Sequence, residues 1–370
     1  MKIAFVTFGN FDGHATLKRA TGMASPLVER GHEVHLLLEE SPINREKVEL
    51  ECPEAMVHWH ERGHSAWSEQ AAKQRKLKTI EPDVVWICGV GLRNWVRKTS
   101  KKTILLADHS ELYSVVETRA LRRLVYRFIE WLYCFSFDGH ICASRYLEQF
   151  YSKRLKMIKR DEKAVHYSPY AYHPGVIKFD AVGADSVRAR FPGKKIILFI
   201  GSFWENYGFW DMLKAFSELS ELRDDFVAVF AGRGPEKEGG IKWVRRKGLE
   251  SKIIIEGYVP EENLSAYFGA AHAFLSPLRN TAQDWSRCPS KLFMYIPFQK
   301  PVITCAIGEA CELFGEGGFY YTPNDIKSLV KTISLVLDEN KVREYVRPDT
   351  HTYEARTEAF LNWFEAFFSK

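Results

Sequence analysis

Short apolar runs alternate with longer helical patterns through most of this chain, and the alternation starts twice. Two parallel strands need a crossover of a dozen or more residues between them, usually a helix. Repeated strand–helix units therefore imply a parallel sheet covered by helices on both faces. In the first half the strand-like runs are Ile3 to Phe8, Glu33 to Leu38, Val84 to Cys88, Thr103 to Ala107 and Asp138 to Cys142. In the second half they are Lys195 to Ile200, Phe226 to Ala231, Lys252 to Glu256, Ala273 to Ser276 and Val302 to Thr304. The expected fold class is α/β, with two doubly wound parallel sheets.

Punctuation between the runs agrees with this. A helix is expected up to Glu29, with Gly31 as its C-cap. Further helical patterns cover Arg119 to Phe135, Phe209 to Leu222, Glu261 to Ala271 and Tyr353 to Phe368. The last places Phe360, Trp363, Phe364 and Phe367 on roughly one face. The halves join around Pro174 to Val187, which suggests domains over 1–178 and 188–350 and a terminal helix over 351–370.

Bulk properties narrow the class. A chain of 370 residues, 46% of them hydrophobic, has material for more than one sizeable core. Seven scattered cysteines without a CxxC fit a reducing compartment better than a disulfide scaffold. Asn10, Asp12 and His14 interrupt the first apolar run too early for a signal peptide. No stretch approaches bilayer-spanning length. The localisation expected is cytoplasmic. Residues 1–180 carry 28 Lys and Arg against 22 Asp and Glu, and the remainder carries 24 against 25. The basic excess lies in the first half, where an acidic partner or a merely solvated surface would explain it.

In doubly wound sheets ligands bind at the carboxyl ends of the strands. The loop Gly9-Asn10-Phe11-Asp12-Gly13-His14 occupies such a place, and Gly13 allows close backbone approach. It is not GxGxxG, and Gly89-Val90-Gly91-Leu92-Arg93-Asn94 lacks the third glycine, so a nicotinamide cofactor is not expected. His109 follows a strand between Asp108 and Ser110, where a functional or a buried structural histidine would fit. Gly201-Ser202 and Gly232-Arg233-Gly234 also follow strands. Pro289 and Ser290 begin a helix whose free amides suit a phosphate.

Two metal readings are weak. His60-Glu61-Arg62-Gly63-His64 matches HExxH, but Gly63 and its polar surroundings argue against the stable helix that motif needs. No Asp-x-Asp occurs, so a metal-clamped diphosphate is not signalled. The segment Arg119 to Phe135 carries Arg122, Arg123 and Arg127 among apolar residues, with Lys153, Arg154, Lys156, Lys159 and Arg160 downstream. It reads either as a core-facing helix with a charged outer face or as a surface for anionic membrane. No nucleic-acid module is recognised, and nucleic acid is not an expected partner.

Four stretches carry a family resemblance: "IILFIGSF…G", "VAVFAGRGPE", "IIIEGYVPEENLSAYFGAAHAFLSPL" and "PSKLFMYIPFQKPVITCAIGEACELFGEGGFYYTPND". With them the chain resembles retaining glycosyltransferases of the GT-B fold, family 4 (group 1), over nearly its whole length and most specifically over 196–325. The resemblance implies two Rossmann-like domains facing a central cleft, with the last helix packing back on the N-terminal, acceptor-side domain. It places a nucleotide base near Arg233, Gly234 and Val259. It places a diphosphate at the amides of Ser290 and Lys291, with Gly201, Ser202 and Gly13 close by. His109 matches the histidine that meets the transferred sugar.

The sequence departs from the family at two points. The family's paired glutamates fall on Ser286 and Met294, with Asp284 near enough to replace the first, and methionine cannot hydrogen-bond a ribose. Ser202 and Trp204-Glu205-Asn206-Tyr207 stand where the family has Arg and Lys, leaving Lys291 or Arg287 to compensate. The function implied is transfer of a sugar from a nucleoside-diphosphate sugar to a hydroxyl acceptor, glycan or lipid-linked, with retention. The only small molecule needed is the donor as co-substrate; no metal and no other cofactor are expected. A catalytically degenerate binding or assembly subunit is the alternative, and a nucleotide-sugar epimerase a further one. Peripheral contact with the inner face of the membrane is compatible with each.

Overall fold

The computed structural model of the chain describes residues 1–11, 15–91, 93–339 and 346–368. They form two compact units. Unit 1 comprises Met1–His173, Ser286–Cys288 and Asp349 onward; unit 2 comprises Pro174–Trp285 and Pro289–Pro348.

Unit 1 holds a seven-stranded sheet of β1 (Lys2–Val6), β2 (Glu33–Glu39), β3 (Met56–His60), β4 (Val84–Cys88), β5 (Ile104–His109), β6 (Gly139–Cys142) and β7 (Val165–Tyr167). Its order is β3-β2-β1-β4-β5-β6-β7, and every pairing is parallel. Unit 2 repeats the plan with β8 (Lys195–Ser202), β9 (Phe226–Arg233), β10 (Ile253–Gly257), β11 (Ala273–Ser276), β12 (Val302–Thr304) and β13 (Phe319–Tyr320). The order there is β10-β9-β8-β11-β12-β13, again all parallel. In each sheet the winding reverses beside its first strand, at β1/β4 and at β8/β11, the place where doubly wound sheets take ligands.

Central strands are buried on both faces, so they read as unbroken apolar runs instead of alternating ones. Ile3 to Val6 of β1 and Phe226 to Phe230 of β9 have no exposed surface. In unit 1 the helix Ala15–Glu29 meets the terminal helix Tyr353–Phe368. Gly22 makes this close, since a Cβ there would lie 2.3 Å from the Tyr353 ring. Phe360 then reaches Trp86 of β4, ring centroids 4.6 Å apart.

The structure carries three strands two residues beyond their sequence-based ends, and β2 and β10 one residue beyond. β8 continues through Gly201 and Ser202, β9 through Gly232 and Arg233, and β5 through His109. Backbone pairing to neighbours, Gly201 with Gly232 and Ser202 with Arg233, carries the ladder past the apolar run. β7 and β13 are too short for periodicity to reveal, and β3 alternates His58 and His60 with Val57 and Trp59.

Candidate functional site

The carboxyl ends of β8 and β9 in unit 2 are built from glycine contacts that no side chain could enter. Gly201, Gly232 and Gly234 have φ of 152°, 156° and 159°. A Cβ on Gly232 would lie 1.8 Å from the Gly201 carbonyl oxygen, and one on Gly234 would lie 2.3 Å from that of Phe203. Phe203 N donates to the Arg233 carbonyl at 2.8 Å, and Glu236 N donates to the Phe203 carbonyl at 3.2 Å. The two strand ends are thus locked backbone to backbone.

A cation stands over this end. The Lys291 ammonium is 4.3 Å from the Phe199 ring centroid, and it would come within 2.7 Å of a Cβ on Gly201. Lys291 belongs to the short helix Ser290–Tyr295, which enters through Pro289 without a side-chain cap. That helix is held to the sheet by Tyr295, whose ring stacks on Phe274 at 4.2 Å and whose hydroxyl accepts from Ile200 N at 3.4 Å. Ser290 is half-buried and Met294 is buried. With six residues the helix supplies only a small dipole, so the fixed charge at this end comes mainly from the ammonium.

Beyond β9, the Arg233 guanidinium lies 4.8 Å from the ring centroid of the exposed Tyr258. Half-buried Val259 follows directly. Arg233 and Tyr258 thus stack, with Val259 next in the chain, as a partly apolar ledge at the end of β9. Ser202 is exposed.

Asp284 lies in unit 2, in the segment after β11. Its buried Oδ2 accepts from Arg279 N at 2.6 Å, and its own N donates to Thr281 Oγ1 at 3.2 Å. The carboxylate closes the loop after β11. Arg279 itself pairs with Asp211 at 3.1 Å.

His109 lies in unit 1 as the last residue of β5 and is 4% exposed. Its ring stacks on Tyr151 at 3.9 Å, and its Nε2 is 3.0 Å from His140 Nδ1. Burial, reinforced by His140, holds its pKa well below the ordinary histidine value. His109 is thus a neutral, packed imidazole. Arg287 also belongs to unit 1, where it lowers the otherwise burial-raised pKa of Glu111.

Gly13, with Asp12 and His14, lies outside the described residues. The preceding part of that loop is fastened by Asn44, whose Oδ1 accepts from Phe11 N at 3.2 Å and whose Nδ2 donates to the Gly9 carbonyl at 3.1 Å. The Gly89–Asn94 loop is anchored from an unforeseen direction. Buried Lys73 donates to Glu69 at 2.8 Å and to Asn94 Oδ1 at 2.6 Å. The i,i+4 spacing of Glu69 and Lys73 was the available signal. His60 ends β3 and the next helix starts at Ala66, so residues 60–64 are not helical. Among the described residues no group of three or more His, Cys, Asp or Glu is arranged to hold a metal.

Comparison with known proteins bears on the fold. The architecture is that of GT-B glycosyltransferases. A glycosyltransferase from Rickettsia africae superposes with a TM-score of 0.68 at 16% identity, covering 98% of this chain and 94% of that one. HepE from Anabaena, solved with UDP-glucose, superposes at 0.69 with 13% identity, covering 99% and 95%.

Residues 185–351, most of unit 2, match the family described as glycosyl transferases group 1. A 2-deoxystreptamine glucosyltransferase of Streptomyces kanamyceticus is 22% identical over 48% of this chain and 46% of its own length. A 2-deoxystreptamine N-acetyl-D-glucosaminyltransferase of Niallia circulans is 23% identical over 44% and 41%. The chain spans less than half the length of these curated relatives.

Proposed function

We propose that the protein is a glycosyltransferase whose unit 2 binds the diphosphate of a nucleoside-diphosphate sugar and whose reaction passes the sugar to a hydroxyl acceptor. The observation that carries this reading is the Lys291 ammonium held over the glycine-locked end of β8. Peptide groups without side-chain cover, one fixed cation and a helix start are what a diphosphate requires. The ledge of Arg233, Tyr258 and Val259 suits a nucleotide base, stacked or packed edge-on. The group 1 match over this same unit, and the UDP-glucose bound to HepE, support a sugar nucleotide as ligand.

Departure of the diphosphate would be helped by Lys291 and by the amides near Ser290, in a metal-independent reaction that retains configuration. The resemblance assigns His109 to the transferred sugar. With its pKa held well below the ordinary histidine value, it would be a weak base and would serve mainly as a hydrogen-bonding group. Asp284, whose Oδ2 accepts from Arg279 N, would stand in for the first of the family's paired glutamates.

Calorimetric titration with UDP, GDP and ADP tests the proposal, followed by hydrolysis assays with the matching sugar nucleotides. Binding of one diphosphate with turnover of its sugar donor is expected. Buried Met294, where the family carries a glutamate, favours one rival: a degenerate subunit. Failure to bind any of the three nucleotides would choose that rival.

A further inference from the structure

We propose that the helix Ala120–Ser136 of unit 1 seats the protein on an anionic lipid surface. This inference rests on unit 1 alone and is independent of the donor reading for unit 2.

The helix is apolar on two opposite faces. One is buried, with Tyr133 and Cys134 in the core of unit 1. The other faces solvent: Leu121 is 76% exposed, Leu124 59%, Val125 50%, Phe128 63% and Phe135 61%. Their spacing of three, four, seven and fourteen residues from Leu121 keeps them on a single stripe. At 1.5 Å per residue the stripe runs about 21 Å. Contiguous exposed apolar surface of this kind marks an interaction site, not ordinary scatter.

Charge identifies the occupant. Arg122 lies on one side of the stripe and Arg123 and Arg127 on the other, all exposed. The helix has one carboxylate, Glu130, and it is buried, accepting from Ser114 N at 2.9 Å and from Ser114 Oγ at 2.8 Å. The neighbouring helix Arg145–Met157 stacks Arg154 on Trp131 at 4.7 Å and exposes Lys153, Lys156 and Met157. Apolar side chains flanked by cations, with no exposed acid on the helix, complement acyl chains beneath anionic headgroups. A second copy of this face would be a poor partner. Two-fold pairing would set arginines against the same arginines with no carboxylate on the helix to answer them.

The test is co-sedimentation of the full chain with phosphatidylcholine vesicles and with vesicles also containing phosphatidylglycerol. The protein is expected to favour the anionic vesicles by about tenfold or more, and to lose that preference in high salt. Leu124→Ser with Phe128→Ser should cut anionic-vesicle binding about tenfold or more. Arg123→Glu with Arg127→Glu should abolish the preference over neutral vesicles. All four side chains are exposed, so circular dichroism and melting curves should match wild type. Absence of wild-type binding to anionic vesicles, or serine variants that bind as wild type does, overturns the proposal. A wild-type dimer that the serine pair dissociates, without vesicle binding, overturns it in favour of self-association.

Discussion

Asp108 Oδ2 lies 2.7 Å from Arg19 Nε, and both side chains are withdrawn from water. Trp86 Nε1 donates to the same carboxylate oxygen at 3.1 Å. Arg19 also donates to the Ser168 carbonyl at 2.6 Å and to Ser168 Oγ at 2.9 Å. One ion pair thereby ties the first helix of unit 1 to β5 and to the chain just after β7. Removing one partner leaves a buried charge unanswered. Arg19→Met should cost about 3–5 kcal/mol in urea unfolding, while Arg19→Met with Asp108→Leu should recover most of that loss.

The buried histidines set an acid limit. Burial pushes His140 and His166 down to about 3 and holds His109 well below its usual value. Unfolded, each would titrate near 6.5. The folded state refuses protons that the unfolded state accepts, so stability is full above 6.5 and is lost as pH falls from there toward 3. The loss is about 1.4 kcal/mol per pH unit for each such histidine. Asp108, whose pKa burial raises above its ordinary value, works in the opposite sense. Urea midpoints should fall steeply between about pH 6.5 and about pH 5, with His140→Phe reducing the slope.

Gly232→Ala should damage unit 2 itself. The new Cβ would collide with the Gly201 carbonyl at 1.8 Å, and φ of 156° is strained for any side chain. A loss above about 2 kcal/mol is expected, seen as a lower melting temperature. Gly248→Ala, with nothing within 4 Å, is the control: its positive φ strains an alanine, but nothing collides.

Lys291→Ala separates binding from folding. The side chain is half-buried, and its ammonium lies over the Phe199 ring, in the space a Cβ on Gly201 would crowd. Nucleoside-diphosphate affinity should fall about tenfold, about 1.4 kcal/mol, with the melting temperature nearly unchanged. Calorimetry measures the first quantity and scanning calorimetry the second.

His109→Ala should lower the stability of unit 1 by about 2–4 kcal/mol, through loss of the Tyr151 stack and of the partner to His140. Activity of that variant would therefore confound chemistry with folding. His109→Gln, which keeps a hydrogen-bonding group, should melt closer to wild type; an unchanged transfer rate in it would remove His109 from the site.

The parallel sheets were legible because fully buried strands need unbroken apolar runs, and Val84–Cys88, Ala273–Ser276 and Val302–Thr304 sit where those runs do. Strand ends were less legible. Gly201 and Gly232 look like turn residues, yet cross-strand pairing extends β8 and β9 through them. The family resemblance places Lys291 beside a diphosphate, but nothing local tells that its ammonium lies over the Phe199 ring. For Asp284 the sequence offered only an acid near an expected position; that its Oδ2 accepts from Arg279 N is a contact no local pattern announces.

By itself, the order of residues determined two doubly wound units and the places of their central strands, because apolar run length and helix punctuation are local properties. Only tertiary structure decided that His109 is neutral, that Arg19 answers Asp108, and that one face of the helix Ala120–Ser136 stays uncovered. Burial and charge pairing depend on which distant segments pack together, and no short window of sequence contains that information.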